Sequence, residues 1–143
     1  MGEAIERLQE RFGSFFTAER AECSLYERDM GWLPETLVKP LAQTAPLGVV
    51  RPQSAADVGD AFRMAREAKL AVTPRAGAST VYFNAVCAKG GLVLDLNGLQ
   101  GVGKVDAATG IVGVAAGVTW SRLESELAQQ GYAACSYPSS APG

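Results

Sequence analysis

The chain has 143 residues, of which 48% are hydrophobic and 20% charged, a size and balance that fit a single soluble globular domain. Its 13 basic and 15 acidic residues leave a net charge of −2, which supplies no general field for nucleic acid or an anionic membrane, so any bound anion has to be held locally. There is no histidine, and Cys23, Cys87 and Cys135 stand far apart without a Cys-x-x-Cys pair; Ser/His and Cys/His nucleophiles are thereby excluded, and a metal centre or disulfide scaffold within these residues is disfavoured.

The thiols are therefore expected to be buried and unpaired. The first residues lead into no apolar signal region, and no stretch approaches the ~20 apolar residues of a membrane span. A cytoplasmic protein is expected, or one peripheral to the inner face of the membrane.

In chain order, Ile5, Leu8, Phe12 and Phe15 recur on one face and predict an opening helix, which Gly13 interrupts. Residues 17–29 carry a weaker pattern that fits a second short helix. Trp32-Leu33-Pro34, Lys39-Pro40 and Ala45-Pro46 then mark an irregular crossing, because proline donates no backbone hydrogen bond and disfavours helix in the residue before it. Residues 1–47 thus read as an N-terminal helical segment and linker, and residues 48–143 as the regular body.

That body opens with a strand, Gly48-Val49-Val50-Arg51-Pro52. Ser54 caps a helix with Asp57 at its third position, and Val58, Ala61, Phe62, Ala65 and Ala68 follow at helical spacing. Ala71-Val72-Thr73 makes the next strand, and one helix between two strands implies that they lie parallel through a right-handed crossover. Pro74-Arg75-Ala76-Gly77-Ala78-Ser79-Thr80 comes next, at the carboxyl end of a parallel strand, where open α/β sheets hold their ligands. Small side chains let the backbone approach a ligand closely, successive N–H groups in a turn form an anion site, and Ser79 and Thr80 add hydroxyls. Arg75 has two readings: it contacts phosphate, or it packs and pairs within the fold.

Residues 91–96 form a third strand. Residues 102–106 and 111–115 read as an antiparallel pair joined by Ala107-Ala108-Thr109-Gly110. Thr119 caps a last helix that presents Trp120, Leu123 and Leu127 on one face, and Gly131 closes it. Residues 98–104 have the Gly-x-x-x-x-Gly-Lys spacing of a nucleotide-triphosphate loop, but Val105 stands where the magnesium-binding hydroxyl belongs and the following pattern is strand-like, so a glycine-rich turn is expected instead. Asp95 and Asp106 end strands and read as solvated or turn-capping rather than catalytic. The closing Pro138-Ser139-Ser140-Ala141-Pro142-Gly143 has the composition of a loop before a further strand, so the chain is expected to be the first part of a longer domain.

Five pieces in this order carry a resemblance: Val49-Val50-Arg51-Pro52 with the Ser54 helix, the 74–80 loop, Leu92-Val93-Leu94-Asp95-Leu96, Ala115-Ala116-Gly117-Val118-Thr119, and Pro138-Ser139-Ser140. Residues 49–143 resemble the beginning of the FAD-binding domain of the vanillyl-alcohol oxidase and p-cresol methylhydroxylase-type flavoproteins, in the branch of glycolate oxidase and D-lactate dehydrogenase subunits. The resemblance implies an α+β fold: a small parallel strand–helix–strand subdomain, then the start of an antiparallel α+β subdomain, incomplete here, with FAD between the two. It implies cofactor-binding roles for Pro74, Arg75, Ala76, Gly77, Ala78, Ser79 and Thr80 at the pyrophosphate, and for Pro138, Ser139, Ser140 and Gly143 near the flavin and its ribityl chain.

The family's usual three glycines after the arginine are replaced by Ala76-Gly77-Ala78. A Cβ in the left-handed region costs roughly 1–2 kcal/mol, so either both alanines keep negative φ or cofactor affinity falls. The implied activity is oxidation of a 2-hydroxy acid such as glycolate or D-lactate by hydride transfer to flavin, with electrons passed to an iron–sulfur protein, an electron-transfer flavoprotein or a quinone. A histidyl bond from this segment to FAD is excluded, and by analogy the catalytic and substrate-binding residues lie beyond Gly143, leaving these residues alone inactive. The competing expectation is a noncatalytic fragment or degenerate homologue that serves as a protein-interaction module.

Overall fold

A computed structural model describes residues 2–32, 34, 36–37, 45–136 and 138. Helix α1 (Gly2–Phe12) buries Leu8 and Phe12 and ends where Gly13 takes a left-handed φ of 53°, as the sequence predicts. A 3-10 turn (Gly13–Phe15) then leads into a two-residue strand, β1 (Phe16–Thr17), followed by α2 (Arg20–Ser24). The expected second helix is thus confined to five residues. Strand β1 was not foreseen, because two residues carry no detectable alternation.

Strands β2 (Gly48–Val50), β3 (Val72–Arg75) and β4 (Leu92–Asp95) complete one sheet in the order β1-β2-β4-β3. β1 pairs antiparallel with β2, while β2 and β3 both run parallel to β4. The strands around helix α3 (Ala55–Glu67) are therefore parallel, as expected, but β4 lies between them. Their composition explains the order. Leu92, Val93 and Leu94 are fully buried, the continuous apolar run that suits a central parallel strand, whereas Pro74 donates no ladder bond and belongs at an edge.

The sheet is covered on both faces. Val50, Leu92 and Leu94 pack with Phe16, with Leu8 and Phe12 of α1, and with Ala61 and Ala65 of α3. Val49 and Val93 point the other way and pack with Cys23, Cys87 and Tyr26. Cys23 and Cys87 are buried free thiols whose pKa burial pushes up; Cys135 is exposed, contrary to expectation, in a stretch without regular structure after the last helix.

Local capping holds α3 in place. Ser54 Oγ accepts from the Asp57 amide at 3.2 Å, and the Asp57 carboxylate accepts from Ser54 Oγ at 2.9 Å and from the Gln53 amide at 3.1 Å, a variant of the capping box. The expected hairpin after β4 is reduced to two isolated antiparallel bridges, Val102 with Val114 and Asp106 with Ile111. Gly103 and Gly113 supply no side chains between these bridges, and Ile111 is 68% exposed, so little packing supports a longer ladder. Helix α4 (Trp120–Gln129) starts where Thr119 Oγ1 accepts from the Arg122 amide and ends with Gly131 at φ 82°. Of its expected apolar face Leu127 is buried, Leu123 is half-buried and Trp120 is exposed. Among the described residues no helix is long and apolar enough to cross a membrane.

Candidate functional site

β3 and β4 end side by side, with Arg75 opposite Asp95. Pro74 and Arg75, expected in the loop, belong to the strand, because a proline on the free edge of a sheet leaves the ladder to β4 intact. The loop therefore begins at Ala76.

Two hydrogen bonds hold its ends. Asn97 Nδ2 donates to the Ala76 carbonyl at 3.3 Å, and the Met30 amide donates to the Thr80 carbonyl at 3.1 Å. Both attachments use carbonyl oxygens and leave N–H groups uncommitted. Among the described residues, the amides of Gly77, Ala78 and Ser79 make no hydrogen bond within the protein. Thr80 Oγ1 accepts from the Tyr82 amide at 3.3 Å, so its own hydrogen remains available to a further acceptor.

The backbone is shaped to match. Ala78 stands at φ 51°, in the left-handed region, whereas Ala76 and Gly77 do not. A left-handed residue within a turn is the arrangement that gathers successive N–H groups into an anion-binding concavity. Gly77 is exposed, and a Cβ placed there would meet no atom within 4 Å. The space on the side-chain face of Gly77 is open.

Arg75 takes the packing role at Nη1, which donates to the carbonyls of Arg28 at 2.7 Å, Tyr26 at 3.3 Å and Ala85 at 3.3 Å. Asp95 caps its turn as expected, accepting from the Asn97 amide at 3.1 Å. Asp106 likewise accepts from the Ala108 amide at 2.8 Å, and that bond holds its carboxyl below the usual carboxylate range. Residues 98–104 lead into the Asp106 bridge rather than a helix, so no triphosphate loop forms.

Of the residues expected near the ribityl end, Pro138 is exposed, and no hydrogen bond among the described residues joins it to residues 74–80. Ser139, Ser140 and Gly143 lie outside the described residues. Asn97 and Met30 were missed. The signal available for Asn97 was its place two residues after Asp95, the spacing of a local Asx turn; nothing around Met30 marks it, since its contribution is a main-chain amide.

Residues 46–143 match the family described as the FAD binding domain. L-gulono-1,4-lactone dehydrogenase of Mycobacterium tuberculosis is 37% identical over 86 residues, which are 60% of this chain and 20% of that protein. Among solved structures, alkyldihydroxyacetonephosphate synthase superposes with a TM-score of 0.80 at 19% identity, covering 99% of this chain and 27% of the other. p-Cresol methylhydroxylase with substrate bound gives 0.74 at 19% identity over 91% of this chain and 25% of the other. The chain thus spans about a fifth of the curated relative and about a quarter of these solved chains.

Proposed function

We propose, for a chain that belongs to the FAD binding domain family, that residues 76–80 hold the pyrophosphate of FAD in an oxidoreductase acting on a 2-hydroxy acid of the glycolate or D-lactate type. FAD is the cofactor of this family and its members include oxidoreductases. The observation that carries the site is the set of unengaged amides at Gly77, Ala78 and Ser79, just past the carboxyl end of a parallel strand. The residues present suit a diphosphate. Charge-assisted N–H bonds to an anion are roughly twice as strong as neutral ones, and these donors are already oriented by the attachments at Ala76 and Thr80. Ser79 and Thr80 add hydroxyl donors, and Gly77 keeps the approach clear.

When bound, FAD supplies the hydride acceptor that the side chains of a protein lack. This chain's part is to bind and orient. Pro138, Ser139, Ser140 and Gly143 are proposed to lie toward the flavin and ribityl chain, and the groups that bind a substrate carboxylate and take its hydroxyl proton to lie outside these residues. The electron acceptor is proposed to be an iron–sulfur protein, an electron-transfer flavoprotein or a quinone.

The name of the curated relative gives a lactone as its substrate, so the lactone is the comparison substrate for the 2-hydroxy acids. The left-handed φ of Ala78 falls on the branch of the sequence expectation that lowers cofactor affinity, and it is the observation that favours the second reading, a noncatalytic module.

The test is anaerobic addition of glycolate, D-lactate or L-gulono-1,4-lactone to the full-length protein. Bleaching of the oxidised-flavin absorbance by a 2-hydroxy acid is the expected result. Bleaching by the lactone alone would move the substrate class, and a protein that neither carries nor takes up FAD would overturn the proposal.

A further inference from the structure

Tyr26 lies ahead of the residues that match the family, yet its side chain ends in the same network as the loop. The phenolic hydroxyl donates to Asp95 Oδ2 at 2.6 Å, within the range of a charge-assisted O–H···O⁻ bond. The other oxygen of Asp95 accepts from Asn97 Nδ2 at 2.8 Å, and that same nitrogen donates to the Ala76 carbonyl at 3.3 Å. An amide nitrogen has two hydrogens, so both bonds of Asn97 form at once, and together they fix its orientation. On the other side, the Arg75 guanidinium carbon lies 5.2 Å from the Tyr26 ring centroid, and Nη1 of Arg75 reaches the Tyr26 carbonyl. The contacts close a circuit from Arg75 through Tyr26, Asp95 and Asn97 to Ala76, one residue from where it began.

We infer that Tyr26 is a positioning residue for the phosphate loop: through Asp95 it sets the orientation of Asn97, which holds the Ala76 carbonyl back and leaves the following amides free. This inference rests on the reading of residues 76–80 as the pyrophosphate site. Asp95 is hydrogen-bonded on both oxygens, by the phenol at Oδ2 and by the Asn97 amide groups at Oδ1, so the carboxylate is held from two sides. Burial and then the bond to Asp95 push the Tyr26 phenol upward, so it stays protonated as a donor across the neutral range. Without the phenol, Asp95 Oδ2 loses this donor and the carboxylate can turn, releasing Asn97.

The test compares Tyr26→Phe, Asn97→Ala and the double variant in the full-length protein, reading FAD affinity by fluorescence titration and turnover at saturating FAD. Tyr26→Phe is expected to weaken FAD binding about tenfold, Asn97→Ala by a similar factor, and the double variant by no more than the worse single one, since all act through one contact. Saturating FAD restores the wild-type visible spectrum and turnover, which a damaged fold would not allow. Wild-type affinity in Tyr26→Phe, or losses that multiply in the double variant, would overturn the inference. Hydrogen exchange of the Asn97 side-chain amide without FAD, read by NMR, separates it from the reading on which it rests. Faster exchange in Tyr26→Phe, in a protein that binds no FAD, removes the pyrophosphate site and keeps the brace; unchanged exchange with normal FAD binding removes the brace and keeps the site.

Discussion

Arg75 Nη1 donates to the carbonyl of Arg28 at 2.7 Å, joining the end of β3 to the N-terminal segment across 47 residues. Its further bonds to the carbonyls of Tyr26 and Ala85 turn a cation beside the proposed phosphate loop toward main-chain oxygens of the protein itself. Substitution to methionine keeps much of the bulk and removes the donors. Arg75→Met is expected to destabilise the protein by about 1–3 kcal/mol, since carbonyls that are partly shielded from water lose their partner. Thermal unfolding measures this. The salt dependence of FAD binding should keep its wild-type slope; unchanged stability with a flattened slope would instead place the guanidinium on phosphate.

Ala78 carries a steric cost that glycine would not. At φ 51° its Cβ crowds the neighbouring carbonyl, and removing it relieves strain at the price of a more flexible unfolded chain. Ala78→Gly is expected to raise stability by about 0.5–1 kcal/mol, read from urea unfolding with an unchanged m-value. A loss of stability would mean that the residue does not occupy the left-handed region in solution.

Helices α1 and α3 are linked by charge, and the link predicts a response to acid. Arg11 reaches Asp57 at 2.9 Å and Asp60 at 2.8 Å, while Asp60 also pairs with Arg63. Asp57 is held below the usual carboxylate range first by Ser54 and then by Arg11, and Asp60 first by Arg11 and then by Arg63. A folded-state pKa below the unfolded one gives stability that is complete above the ordinary carboxylate range and lost as pH falls through it. The thermal midpoint should therefore drop between about pH 5 and about pH 3, and Arg11→Met should flatten that drop. An acid limb identical in both proteins would show that these pairs are screened out by solvent.

What was legible in the sequence is mostly local. The caps at Ser54 and Thr119 and the stops at Gly13 and Gly131 depend on bonds or φ values within a few residues, and all four appear where their residue types place them. The insertion of β4 between β2 and β3 is a choice among non-local pairings, to which the only pointers were the fully apolar run of β4 and the proline of β3. The loop announced itself through its small side chains. Its attachments did not, because Asn97 to Ala76 spans 21 residues and Tyr26 to Asp95 spans 69, and no periodicity connects positions so far apart.

The most direct test of the phosphate-loop account is the FAD affinity of Gly77→Val in the full-length protein. No atom lies within 4 Å of the added Cβ, so the fold should keep its stability to within about 0.5 kcal/mol while side-chain bulk fills the space that the diphosphate needs. The account predicts a stably folded, colourless protein whose FAD binding is weakened by at least about a hundredfold. A Gly77→Val protein that folds normally and binds FAD as tightly as the wild type would contradict it.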